Sequence, residues 1–248
     1  MGARPLRGQP VRGRVSRYVR ESRALSVSLV LVLPLLLAYE VGILLFKSPV
    51  ENLAGLLVKQ VISIFGDHSL LILTGLIAVV FVVALLAKQR RPERAFRLYG
   101  VMLLESVAWA ALLGPVVVAV GSKVLCLGAV AELQQPVLRV ILLMGAGAWE
   151  ELVFRFGLLG GFLWLTTRLM KGNRTLLTVV GVVLSSLLFA LFHHVGELGD
   201  PITADRILFR TLAGAALCVL YLLRGLGIGV YTHAFYNVGL FLAGELGG

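Results

Sequence analysis

Charge is scarce in this chain. Only 15% of its 248 residues are charged and 58% are hydrophobic, whereas a soluble domain is about 25% charged and about 45–50% apolar. With a mean hydropathy of +0.94 and several long apolar runs, an ordinary soluble domain is excluded. The class is a polytopic membrane protein. The apolar runs are continuous and do not alternate, which excludes a barrel and leaves helices to satisfy the backbone in lipid. Cysteine is nearly absent. Cys126 and Cys218 are too few and too far apart for a metal or redox motif, and both lie in apolar surroundings as small core residues. Acid is scarcer than base, giving a net charge of +10. The basic residues cluster at the ends of apolar runs, so they read as topology signals and contacts with anionic lipid; nucleic acid is not expected. Two catalytic signatures are missing as well, H-E-x-x-H and the G-x-S-x-G elbow.

What is present is an all-α transmembrane bundle of about seven spans plus an amphipathic helix. Residues 1–23 form a basic tail rich in Arg, Gly and Pro, disordered or lying on the membrane surface. The apolar run at 24–46 is longer than the ~7–15-residue core of a signal peptide and is expected to be retained. Residues 50–66 carry apolar positions at helical spacing, as an interfacial amphipathic helix or a covered loop helix. Further spans are expected near 69–87, 98–120, 136–169, 176–194, 207–223 and 226–244. Residues 24–135 are read as N-terminal membrane helices and 136–248 as a C-terminal helical core. The tail, Lys88 to Arg97, the Arg168/Lys171/Arg174 turn and Arg224 then fall on one side. Lys47, Lys59, Lys123 and the acidic loop "GELGDPITADR" fall on the other. That bias places the N-terminus in the cytoplasm.

The stretch "GAWEELVFRFG" puts Glu150, Glu151 and Arg155 where each charge costs about 2.5–3.5 kcal/mol by insertion scales. Glu151 and Arg155 are i and i+4, so they share a helix face and can pair. Glu150 points about 100° away and is left over. A leftover intramembrane carboxylate marks a polar cavity or a structural ion-pair triad. Two more constellations follow, "FALFHH" with Phe189 and His193 on one face, and "THAFYN" with His233 and Asn237 on one face. A spare glutamate, two histidines and an asparagine on three spans supply a base, an orienting imidazole and neutral donors. That inventory suits hydrolysis of a peptide bond by an activated water with a stabilised oxyanion. A Glu/His/His zinc site is chemically possible on the same residues, though not favoured without a zinc motif.

The three motifs E-E-x-x-x-R (Glu150, Glu151, Arg155), F-x-x-x-H (Phe189, His193) and H-x-x-x-N (His233, Asn237) occur in this order over residues 136–248. The chain thereby resembles the CAAX protease and bacteriocin-processing family, which includes the type II CAAX prenyl endopeptidases. The resemblance implies an intramembrane glutamic endopeptidase that needs no metal. On its pattern Glu150 activates the water with His193, His233 and Asn237 stabilise the oxyanion, and Glu151 and Arg155 orient the site. Phe189 packs, and His194 has no role. The implied substrate is a membrane-anchored protein cut near its C-terminal end. It is either a prenylated tail cut at the cytoplasmic face or a C-terminal sorting helix cut at the outer face, as in the myxosortase-like branch. The outer placement expected for His193 leans toward the second. A bacterial inner membrane is the expected location. The alternative is a non-catalytic scaffold or bacteriocin-immunity protein that keeps these polar residues as helix glue. The span boundaries put Glu150 mid-membrane, His193 near the outer edge and His233 in the inner half, so a shared site demands tilted or broken helices.

Overall fold

A computed structural model describes residues 11–48, 50–66, 68–88, 92–120, 135–169, 172–196 and 199–247. Residues 1–10 of the basic tail, Lys123, Cys126 and Lys171 lie outside them. The described chain is helical: α1 Val11–Ser22, α2 Leu25–Phe46, α3 Leu53–Ile62, α4 Ser69–Lys88, α5 Pro92–Val120 and α6 Pro136–Glu150. A π-helical segment, Glu151–Gly160, continues α6 into α7 Gly161–Leu169. Then come α8 Arg174–Phe192, α9 Ala204–Arg224 and α10 Leu226–Gly247.

Five helical stretches are long and apolar enough to cross a membrane: Leu25–Phe46, Phe96–Gly114, Arg174–Phe192, Ala204–Arg224 and Leu226–Ala243. They fall on five of the seven expected spans. The other two expected spans are helical as well. One holds the shorter apolar stretch Leu71–Val80, and the other carries the charged motif and changes helix type in its middle. The protein is an integral membrane protein. Many large apolar side chains on α4, α5 and α8 face outward, Val79, Leu86, Leu104, Leu176 and Val179 among them. That is what lipid, as the outer solvent, requires.

Helix α10 is central and touches α2, α5, α6 and α9. The main core is built by α2, α6 and α10 through Leu36, Tyr39, Leu142, Ala148, Trp149, Val230 and Ala234. Close approach of these helices depends on small residues. A Cβ on Gly147 would lie 2.9 Å from the Ala234 backbone nitrogen, and one on Gly145 would lie 2.1 Å from the Tyr39 ring.

Three local features differ from the expected outline or sharpen it. The basic tail is helical from Val11, and its last turns are tied into the bundle. The Tyr18 hydroxyl donates to Glu105 at 2.6 Å, and Arg224 donates to Ser22 and Glu105. Glu105, a lone acid in its span, is thereby paired. The helix expected in 50–66 is the covered loop helix. Its Ala54 and Gly55 are buried, Gly55 against Trp149, so α3 turns back into the bundle and does not lie free at the interface. Glu40, overlooked as an intramembrane acid, is fully buried in α2. It accepts from Trp149 Nε1 at 3.0 Å and pairs with Lys59 of α3 at 3.0 Å.

Because Gly145 leaves no room for a side chain beside Tyr39, Gly145→Ala is expected to lower stability by about 1–3 kcal/mol, the usual cost of overpacking. Thermal unfolding of the purified variant in detergent measures this.

Candidate active site

Adjacent residues on a helix diverge, and here the divergence is used. Glu150 is the last residue of α6 and Glu151 the first of the π segment. Their carboxylates therefore leave the helix toward different neighbours. Wide π turns occur often at functional sites because they re-aim side chains and free backbone carbonyls. One such carbonyl, that of Phe154, is taken up by the Ser185 hydroxyl of α8 at 2.8 Å.

Glu151 faces inward and is fully buried, as is Arg155. The Arg155 guanidinium stands 3.2 Å from Glu151 Oε1, as the i, i+4 spacing predicts. The same oxygen is 2.9 Å from His233 Nδ1. Arg155 also donates to the Gly214 carbonyl and lies 4.2 Å above the Phe189 ring. A desolvated cation over an aromatic face is attracted by about 2 kcal/mol. Phe189 in turn meets the His193 ring edge-on at 4.6 Å. It packs, as expected, and it is the wedge between Arg155 and His193.

Glu150 faces the other way. Its Oε2 lies 3.7 Å from His193 Nε2 and 3.6 Å from His233 Nε2. The three motifs thus meet at one carboxylate oxygen. Both rings are held by their other nitrogen. His193 Nδ1 is 2.7 Å from the Phe189 carbonyl, and His233 Nδ1 faces the Glu151 carboxylate. Those partners only accept, so each Nδ1 carries the proton and each Nε2 is the nitrogen turned toward Glu150.

The expected difference in depth does not hold. His193 is the C-cap of α8, so that helix ends beside the π segment, with Phe189 and Phe192 meeting Phe154 edge-on at 5.5 Å and 5.3 Å. The chain then runs along the site before α9 begins. Asp200 N–H donates to the His193 carbonyl, and His194 Nδ1 is bonded to the Asp200 carbonyl. His194 therefore braces this loop.

Glu150, His193, His233 and Asn237 line one cavity of about 520 Å³, within the ~300–1,000 Å³ of ordinary ligand sites. Asn237 contributes from one turn beyond His233, its amide donating to the Leu143 carbonyl at 3.2 Å. The cavity also has polar walls that sequence reasoning missed. Asn52 donates its side-chain amide to Glu150 Oε1 at 2.8 Å. Arg210 of α9, paired with Asp200, lines the cavity as well, as does Tyr236. Asn52 could have been read as a helix cap but not as a partner of Glu150, because the contact spans 98 positions. Among the described residues no set of three His, Cys, Asp or Glu side chains is arranged to hold a metal ion.

Arg155 is the cation that compensates Glu151 in a dry environment. Breaking a buried pair from one side costs about 3–5 kcal/mol, so Arg155→Met is expected to destabilise by that amount, read as a large drop in melting temperature. Glu151→Gln, which keeps an acceptor for both partners, is expected to cost less.

Residues 132–239 match the family described as Type II CAAX prenyl endopeptidase Rce1-like. No curated protein and no solved structure matches the chain. The matched region begins just before α6 and ends two residues past Asn237, so it holds all three motifs that meet at the cavity. Over residues 132–239, somewhat less than half of its length, this chain is similar to the Rce1-like type II CAAX prenyl endopeptidases.

Proposed function

We propose that the protein is a glutamic intramembrane endopeptidase that cuts a membrane-anchored protein near its C-terminal end. The observation that carries this reading is the meeting of Glu150 Oε2 with two imidazole Nε2 atoms at 3.6–3.7 Å. These separations are too long for direct hydrogen bonds and suit a bridging water. Three acceptor atoms then surround one water that has only two protons to give. Such a water is polarised toward hydroxide, and the cluster holds any extra proton jointly.

In the reaction, the water oxygen forms a bond to the scissile carbonyl carbon while its proton passes to Glu150, with His193 sharing the charge. The carbonyl oxygen becomes an oxyanion. The proton taken by Glu150 is relayed to His233 Nε2, where Glu151 behind the ring balances the charge, and that N–H donates to the oxyanion, as does the second amide proton of Asn237. Collapse of the tetrahedral species breaks the C–N bond. The proton held by the cluster then moves to the leaving amine, giving one new carboxylate and one new amine. Glu151 and Arg155 act by fixing the tautomer and charge of His233.

A carbonyl inside an α-helix is tied up in its own i to i−4 hydrogen bond, so the substrate segment enters extended while its anchor, a prenyl chain or a sorting helix, stays in lipid. A bacterial inner membrane, a cytoplasmic N-terminus and anionic lipid bound to the basic tail complete the reading, with no metal required and zinc not favoured.

The test is cleavage of an anchored substrate by purified protein in vesicles, read by intact mass. Glu150→Gln is expected to lose about 10²–10⁴-fold in rate with its melting temperature kept. Asn237→Ala is expected to lose about 10²–10³-fold, as for an oxyanion donor. Activity is expected to survive incubation with a strong chelator. Full activity in Glu150→Gln, or loss of activity that added zinc restores, would refute the mechanism.

A further inference from the structure

Asn52 lies outside the region that matches the family, yet it makes the closest of Glu150's three polar contacts, at 2.8 Å against 3.6 and 3.7 Å. Its orientation is fixed by its other bonds. As the N-cap of α3, its Oδ1 accepts from the backbone N–H groups of Ala54 at 2.9 Å and Gly55 at 3.4 Å. A flipped amide would set N–H against N–H, so the NH₂ edge must face Glu150. The Asn52 backbone N–H donates to the Tyr39 hydroxyl at 2.7 Å, and that ring is seated on Gly145. The amide is thus held from α2, from α3 and at Glu150 itself.

We infer that Asn52 is a positioning residue for the reaction. By occupying Glu150 Oε1 it prevents rotation of the carboxylate and reserves Oε2 for the water between the two histidines. This rests on the reading of Glu150 as the base. It assigns to the N-terminal helices a part in the chemistry, where the family match ends at the C-terminal helices. It also makes α3 a device that sets the aim of the base from 98 positions away.

A pure helix cap is the competing role, and the two separate cleanly. Ser and Asp cap helices about as well as Asn, so Asn52→Ser and Asn52→Asp keep the cap. Ser is too short to reach Glu150. A lost hydrogen bond to a charged group corresponds to about 10–100-fold in kcat, with KM changed by less than about twofold because substrate binding is untouched. In Asn52→Asp a carboxylate replaces the donor, so kcat should fall at least as far.

A measurement without substrate accompanies these. In a double-mutant cycle of Asn52→Ser and Glu150→Ala, thermal unfolding is expected to be non-additive. Full kcat in both cap-preserving variants, activity falling only in step with melting temperature, or an additive cycle would each overturn the inference. Full activity of Glu150→Gln sinks the base reading instead, and the cycle still reports whether the contact exists.

Discussion

The Glu151 carboxylate, whose one oxygen is ion-paired with Arg155 and hydrogen-bonded to His233, is the constraint on which the site depends. An isolated carboxylate in a dry interior is prohibitively costly, and a pair repays its desolvation only with good geometry and further bonds. Arg155 supplies the charge, and Gly214 and the Phe189 ring complete its surroundings. With Glu151 held, His233 has one tautomer and one orientation. Its free nitrogen then has to face Glu150. The Glu150 carboxylate, itself buried, can border the cavity because its neighbour carries the structural burden.

The helices are broken where this arrangement needs them broken. The α6–α7 helix widens to a π segment directly after Glu150, which separates two adjacent acids. Helix α8 stops at His193, so a ring at a helix end meets groups from the middle of two other helices. Helix α3 turns back into the bundle and presents an N-cap to the same carboxylate. In lipid, irregular backbone is tolerated where protein covers it or a cavity borders it. Here the exposed groups have partners: Ser185 for Phe154, and Asn52 for the first amides of α3. A second buried cluster, Glu40 with Lys59, Glu51 and Trp149, holds α3 against α2 and α6.

The candidate site was legible where spacing alone decides geometry. Glu151 and Arg155 are four apart on one helix, and they pair. His233 and Asn237 are four apart, and they line one cavity. It was illegible where geometry depends on how far a helix runs or how it is seated. Depth estimates put His193 near the outer edge because the apolar pattern continues to it, and apolarity does not record that α8 ends beside the π segment. Glu40 was a readable signal that went unused, an acid inside an apolar run whose partner Lys59 sits in the next helix. Asn52 could not have been found at all. Its cap geometry is local, but its contact with Glu150 exists only because α3 packs on Trp149.

The amino-acid sequence by itself determined the helical membrane class, the approximate spans and the residue types of the site. Those follow from hydrophobicity, from the 3.6-residue period and from the cost of charge in lipid, which are properties of short stretches of chain. Tertiary structure alone decided which carboxylate turns toward the imidazoles, which ring nitrogens face it, and that an N-terminal asparagine secures it. Those choices are set by packing between helices far apart in the chain, at distances of a few ångströms that no local pattern encodes.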